Sequence, residues 1–297
     1  MHNPDISHLF PVAEFHSGFT TSSIQHEQVE HVEFEDHALG VHKKSPRTPH
    51  KIVAPPASKS PLRSAISPPE KAWEAFYPKG SINPAGKIPG GFTFHVSGPK
   101  EFAENLAHGA KEAVFSYRMM LEEGWEWVKG GKLPGIFGGV GDLSYSCTGG
   151  RQNDRCKCFN LRPMWRPNSV GELYTYLPLT QNNSKHLLAV PPSSKANPDY
   201  GFSVGRGSFH FDIAVGQWVA VAFRVKLNDH GKENGEIQIW IDGTSVILAK
   251  HLTICDSSDA RIKGMHFQTF FGGHTEEWAS PKDQRAWFAD ISGVIVK

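Results

Sequence analysis

The sequence predicts an all-β fold, an antiparallel β-sandwich or jelly roll with a concave groove and a disordered N-terminal arm. Three observations predict it. Apolar and polar residues alternate in short runs, most cleanly in 217–227, where Val219, Val221, Phe223, Val225 and Leu227 line one face and Arg224 and Lys226 the other. Turn-forming Asn and Gly residues separate these runs, as between that strand and its expected hairpin partner at 236–243. Helical spacing of apolar residues is confined to 100–112, through Phe102, Leu106 and Ala110.

Residues 1–70 read differently from the rest. No Lys or Arg precedes Lys43, while Glu27, Glu30, Glu33, Glu35 and Asp36 cluster before it; a basic, Pro-rich tract follows. Such composition buries too little surface to offset ordering entropy, so a disordered arm and linker is expected. Its eight histidines, from His2 to His50, are irregularly spaced and fit a solvated tail.

Order is expected to begin near Lys71, opening a single domain over 71–297. Phe92, Phe94 and Val96 alternate in one strand, and Phe115, Tyr117, Met119 and Leu121 in a longer one. A turn at Gly124 and a strand at 125–128 should follow. Residues 181–184 read as a polar loop carrying an Asn182 sequon, usable only on an exported chain. Strands at 265–271 and 287–296 flank a loop at 272–278.

The stretch 132–176 carries the chemistry. In extended chain, Asn160 and Arg162 share a face, with Phe159 and Leu161 behind them; Tyr174 and Tyr176 share another, backed by Leu173, Thr175 and Leu177. One sheet surface would then present an amide, a guanidinium and two phenols, which suits an anionic, hydroxylated ligand.

A net charge of +1 lends no support to nucleic-acid or polybasic membrane binding, and no apolar run approaches the roughly 20 residues of a membrane span. Residues 1–5 lack the basic and apolar segments of a secretory signal. Cys156 and Cys158 have one residue between them, too few for the usual zinc pattern. A loop-closing disulfide from Cys147 to Cys158 or Cys156 is expected instead, with free buried thiols as the alternative. A disulfide would suit an oxidising compartment.

Several separated motifs occur in order: Tyr77 to Pro84, Trp127 to Gly135, Arg162 to Arg166, Gly171 to Tyr176, Gly205 to Phe209, and Thr269 to His274. With these, residues 71–297 resemble polysaccharide lyase family 14, particularly its fungal members. The resemblance implies a secreted, monomeric β-jelly roll that cleaves a 1,4-linked polyuronate, glucuronan or alginate, by β-elimination. It implies no cofactor, no metal, and no partner beyond the anionic polysaccharide. It assigns catalysis to Lys132, Arg162, Tyr174 and Tyr176. Asn160 stands where the family typically has serine, and Arg206 and His274 match motifs near the groove; these three are expected to bind substrate.

Elimination needs a cation for the charge growing on the C6 carboxylate, a base for the C5 proton and an acid for O4. Arg162 and Asn160 would hold the carboxylate. A tyrosine, Tyr174 or Tyr176, would move the proton, and Lys132 would lower the phenol pKa or bind the uronate. A glycoside hydrolase would need two carboxylates about 5–10 Å apart. The crowded Glu122, Glu123 and Glu126 offer no such pattern. A non-catalytic, lectin-like binder is the alternative class.

Overall fold

A computed structural model describes residues 6–59, 66–149 and 151–297. Among these residues two nine-stranded sheets pack face to face. The back sheet runs Thr244–Leu252, Gly235–Ile241, Val219–Lys226, Glu112–Leu121, Gln284–Ile295, Ser17–Thr20 and Val29–His31; Ala72–Tyr77 joins Gln284–Ile295 and carries Lys51–Val53. The groove sheet runs Lys195–Asn197, Gly201–Val204, Gly171–Tyr176, Cys158–Trp165, Gly131–Lys132, Arg261–Phe271, Phe92–Val96 and Val41–His42. Gly135–Gly139 lies between Cys158–Trp165 and Arg261–Phe271. The jelly-roll sandwich stands as the alternation predicts.

The alternating residues meet where they should. Val221, Phe223 and Val225 face Ile241, Ile239 and Ile237 across the predicted hairpin. Between the sheets, Phe94 and Phe267 stack at 5.5 Å, and Phe267 meets Tyr117 and Phe288 edge-on. Such aromatic contacts add to plain area burial. The predicted helix is Lys100–Ala107, docked through Phe102 and Leu106.

Three expectations need correction. The first is the disordered arm. Within 6–59, Leu9, Phe10, Phe19 and Leu39 are fully buried. Ser17–Thr20 pairs with Gln284–Ile295, Val41–His42 with Phe92–Val96, and Lys51–Val53 with Ala72–Tyr77. The segment need not build a core of its own. It adds short strands to sheet edges that are already ordered and inserts scattered apolar residues, which average composition does not register. Residues 1–5 and 60–65 of the expected arm lie outside the described residues.

Second, Trp125 to Val128 is not a strand. Val128 takes φ 48°, and Trp125 packs on Trp165 while Trp127 O accepts from Trp165 Nε1 at 3.1 Å. Third, residues 181–184 open the helix Gln181–Leu188 rather than a loop. Thr180 caps it by accepting from Asn183 N at 3.0 Å. Asn182 Nδ2 donates to His251 O at 2.7 Å, so the sequon amide is engaged.

Cys147 and Cys158 form the disulfide, with Cα atoms 5.7 Å apart. Cys156 is an exposed thiol and Cys255 a buried one, pushed up to about 12 chiefly by burial.

Candidate active site

The site is built on the pairing of Cys158–Trp165 with Gly171–Tyr176. Asn160 lies opposite Tyr176, Arg162 opposite Tyr174, and Met164 opposite Glu172. Directly paired residues share a face, so the predicted amide, guanidinium and phenols do come together. Lys132 joins them from the two-residue strand Gly131–Lys132, beside Met164 on one flank and Phe270 on the other. Gly131 makes this insertion sterically possible, because a Cβ there would collide with the Trp165 ring.

Lys132 Nζ donates to Tyr176 OH and lies 4.7 Å from that ring's centroid and 5.2 Å from that of Tyr174. The two phenol rings are 5.4 Å apart, edge to face. Burial, then Arg162, Arg166 and Arg155, push the Lys132 pKa well below its usual value. Burial raises both phenols; Arg162 and Arg155 oppose it at Tyr176. The cations expected to bring the phenols toward neutrality are present, but burial outweighs them. Both shifts favour a lysine amine beside a neutral phenol over the charged pair.

Arg162 is 2% exposed. Its Nε donates to Leu133 O at 3.1 Å, one terminal nitrogen to Gln268 Oε1 at 2.5 Å, and the other to Gln268 O. All three acceptors are neutral, and burial lowers its pKa to about 10. Among the described residues Arg162 thus sits beneath the site without a carboxylate partner. Asn160 Nδ2 contacts His266 Nδ1 at 2.9 Å, while its buried Oδ1 has no partner among the described residues. His266 stacks on His95 at 4.4 Å. Burial and Arg162 depress His266 strongly, and burial with His42 takes His95 to about 3, so both rings are neutral.

Arg206 and His274 lie further out. Buried Glu172 binds Arg206 and Arg166 through its two oxygens and accepts from Ser203 Oγ at 2.7 Å. Arg206 is thereby anchored at the end of the site beyond Tyr174. His274 is exposed on the loop after Arg261–Phe271, 3.3 Å from Tyr200 OH. Arg155 lies over the Tyr176 ring at 5.0 Å, held by Tyr200 O and Thr148 O. Glu122, Glu123 and Glu126 are elsewhere, paired with Arg285, Lys59 and Lys282.

Sequence reasoning missed His95, His266, Gln268, Arg155 and Tyr200. The first three had a signal. The alternation that puts Phe92, Phe94 and Phe267 in the core sends Thr93, His95, His266 and Gln268 to the opposite face. Arg155 and Tyr200 come from irregular segments and had none.

A family model described as polysaccharide lyase 14 matches residues 67–291. This chain belongs to polysaccharide lyase family 14. It is accordingly an enzyme, a polysaccharide lyase, as the motifs implied. Among solved structures, a marine PL-14 alginate lyase from Aplysia kurodai is 27% identical, covering 95% of this chain and 100% of its own, with a TM-score of 0.70. The alginate lyase vAL-1 from a Chlorella virus is 20% identical over 87% of this chain and 93% of its own, with a TM-score of 0.61. A further alginate lyase, a double variant in complex with an alginate tetrasaccharide, is 20% identical over 76% and 81%, with a TM-score of 0.54. The last two likenesses concern fold alone. No curated protein matches the chain.

Proposed function

We propose that this polyuronate lyase cleaves a 1,4-linked, alginate-type chain by β-elimination at the Lys132–Tyr176 pair. The observation that carries the reading is the contact of Lys132 Nζ with Tyr176 OH above buried, carboxylate-free Arg162. The 27% identity to an alginate lyase over nearly the whole chain supports alginate as the first substrate to try.

The roles follow from the geometry. A bound uronate carboxylate favours the ammonium form of Lys132, so the amine accepts the Tyr176 proton. The phenolate takes the C5 proton, and that C–H electron pair becomes the C4–C5 double bond. The C4–O4 bond breaks with its pair on oxygen, and Tyr174 protonates O4. Lys132 then returns its proton to Tyr174, and the product carries a 4,5-unsaturated uronate end. Asn160 steadies the C6 carboxylate. With the amide turned so that Oδ1 accepts from His266, Nδ2 becomes a free donor to an anion, and the orphaned buried oxygen is satisfied. Arg162 acts through its charge, as a positioning residue, because its contacts are with Leu133 and Gln268. Positioned proton transfer of this kind contributes roughly 10²–10⁴-fold.

Incubation with alginate and with glucuronan, followed by ultraviolet absorbance of the unsaturated product, tests the reading. Absorbance rising with alginate supports it. Rising absorbance with glucuronan alone overturns the alginate assignment. No absorbance with either, but retention on a polyuronate column, overturns catalysis in favour of a lectin-like binder.

A further inference from the structure

The groove face does not stop at Asn160. Asn160 bonds His266 at 2.9 Å, His266 stacks on His95 at 4.4 Å, and His95 meets the Tyr145 ring edge-on at 5.0 Å. This row of side chains crosses the sheet toward the N-terminal segment. There His42 Nε2 contacts Tyr145 OH at 3.0 Å, and Phe137 packs on the ring at 5.3 Å. Two ammonium groups gather on the same ring: Lys43 Nζ at 4.3 Å from its centroid and Lys263 Nζ at 5.5 Å.

Lys43 is exposed, and after burial its charge is the other influence that lowers the Lys263 pKa. Two like charges converge on one neutral ring, and cation–π attraction is a modest compensation. Among the described residues neither lysine pairs directly with a carboxylate. Lys263 Nζ donates to Gly141 O at 2.9 Å, and Asp142 acts on it only from longer range. Lys43 also takes a left-handed backbone at φ 49°, a conformation that favours glycine or asparagine. Lys263 reaches the groove face because the strand bulges between Ile262 and Gly264. Two backbone irregularities thus aim two unpaired cations at one spot. An anion between them would relieve the repulsion.

We propose that Lys43 and Lys263, seated on Tyr145, form a second carboxylate-binding subsite for the polyuronate, remote from the bond that is cleaved. Lys263 lies two strand spacings from the Asn160 strand and Lys43 four, ~10–19 Å in all. Only a chain several sugars long would fill both ends. Tyr145 is the pedestal rather than a stacking platform, since His42, His95 and Phe137 already pack on its ring. The first lysine comes from the N-terminal segment, which gives that edge strand a part in substrate binding. The proposal rests on the lyase reading above, and the test separates the two.

The Lys43→Gln/Lys263→Gln double variant is compared with the unaltered protein and with Lys250→Gln, a charge control on the exposed face of the back sheet. Substrates are polymeric alginate and an alginate trisaccharide. The expected result is an approximately tenfold fall in kcat/KM on polymer, carried by KM, with at most a twofold fall on trisaccharide. A polymer-to-trisaccharide ratio equal to that of the unaltered protein overturns the subsite, whether both rates are retained or both fall together. If the unaltered protein cleaves no polyuronate, the lyase reading fails, and elution from an alginate column under rising salt decides the subsite. Earlier elution of the double variant than of Lys250→Gln supports it, and coincident elution overturns it.

Discussion

Arg118 and Arg162 occupy central strands of opposite sheets, and each is 2% exposed. Arg118, in the back sheet, is neutralised inside the fold. Its Nε donates to Asp290, and its terminal nitrogens to Ile66 O and Ser67 O. Arg162, in the groove sheet, has among the described residues a backbone carbonyl and the two oxygens of Gln268 as acceptors. One buried guanidinium belongs to a closed ion pair; the other leaves its field to act on neighbours. The difference teaches where each sheet applies its charge. The back sheet cancels its charge with Asp290, and under the function proposed above the opposite sheet leaves its charge to act on an incoming anion.

The sharpest way to break this comparison is on the groove side. Tyr176→Phe removes the phenol and keeps the ring under Arg155. The expected loss is roughly 10²–10⁴-fold in kcat, with the urea midpoint lowered only by the lost hydrogen bond from Lys132, because the role proposed for the hydroxyl is proton transfer. A variant retaining full kcat would move the base elsewhere. Lys132→Met tests the same pair through pH. The folded-state pKa of Lys132 lies well below its usual value, so the amine form grows as pH rises through that lowered value. The kcat/KM should climb over that range in the unaltered protein, and the rising limb should vanish in Lys132→Met.

On the back sheet the expected effect is structural. Asp290→Ala leaves Arg118 as a buried unpaired charge and should cost about 3–5 kcal/mol of stability, read as a lowered urea midpoint. Activity per folded molecule should be retained. If Asp290→Ala instead impaired kcat as Tyr176→Phe does, the division of labour between the sheets would not hold.

The sandwich and the shared face of the site residues were legible because their signals are local and periodic. A period of two assigns Phe92, Phe94 and Val96 to one face without reference to the rest of the chain, and it places Asn160 with Arg162 and Tyr174 with Tyr176. Register brought the two pairs face to face, as the resemblance implied. The N-terminal segment was misread because its order is borrowed: Val41–His42 exists as a strand only against Phe92–Val96. Composition reports what a segment can bury by itself, and not what a neighbouring edge offers it. The neutrality of His95 and His266 was equally hidden, since it depends on burial beside Arg162, which no spacing reveals. The same holds for Tyr200, which reaches His274 across 74 residues of sequence.

That last contact sets the smallest predicted effect. Tyr200 follows the Lys195–Asn197 edge strand, and His274 follows the Arg261–Phe271 strand on the other flank of Lys132. Their hydrogen bond joins the two sides of the site. It is exposed and 3.3 Å long, so its net contribution is about 0.5–1 kcal/mol, at the weak end for an intramolecular hydrogen bond. His274→Ala should therefore raise KM for polymer by no more than about fivefold and leave kcat within twofold. Tyr200→Phe should match it, because either change breaks the same bond. A loss in kcat comparable to Tyr176→Phe would instead place His274 at the reacting atoms. The ordering of these variants, phenol far above bridge, is what distinguishes a proton-transfer pair held over a buried arginine from a groove whose parts contribute alike.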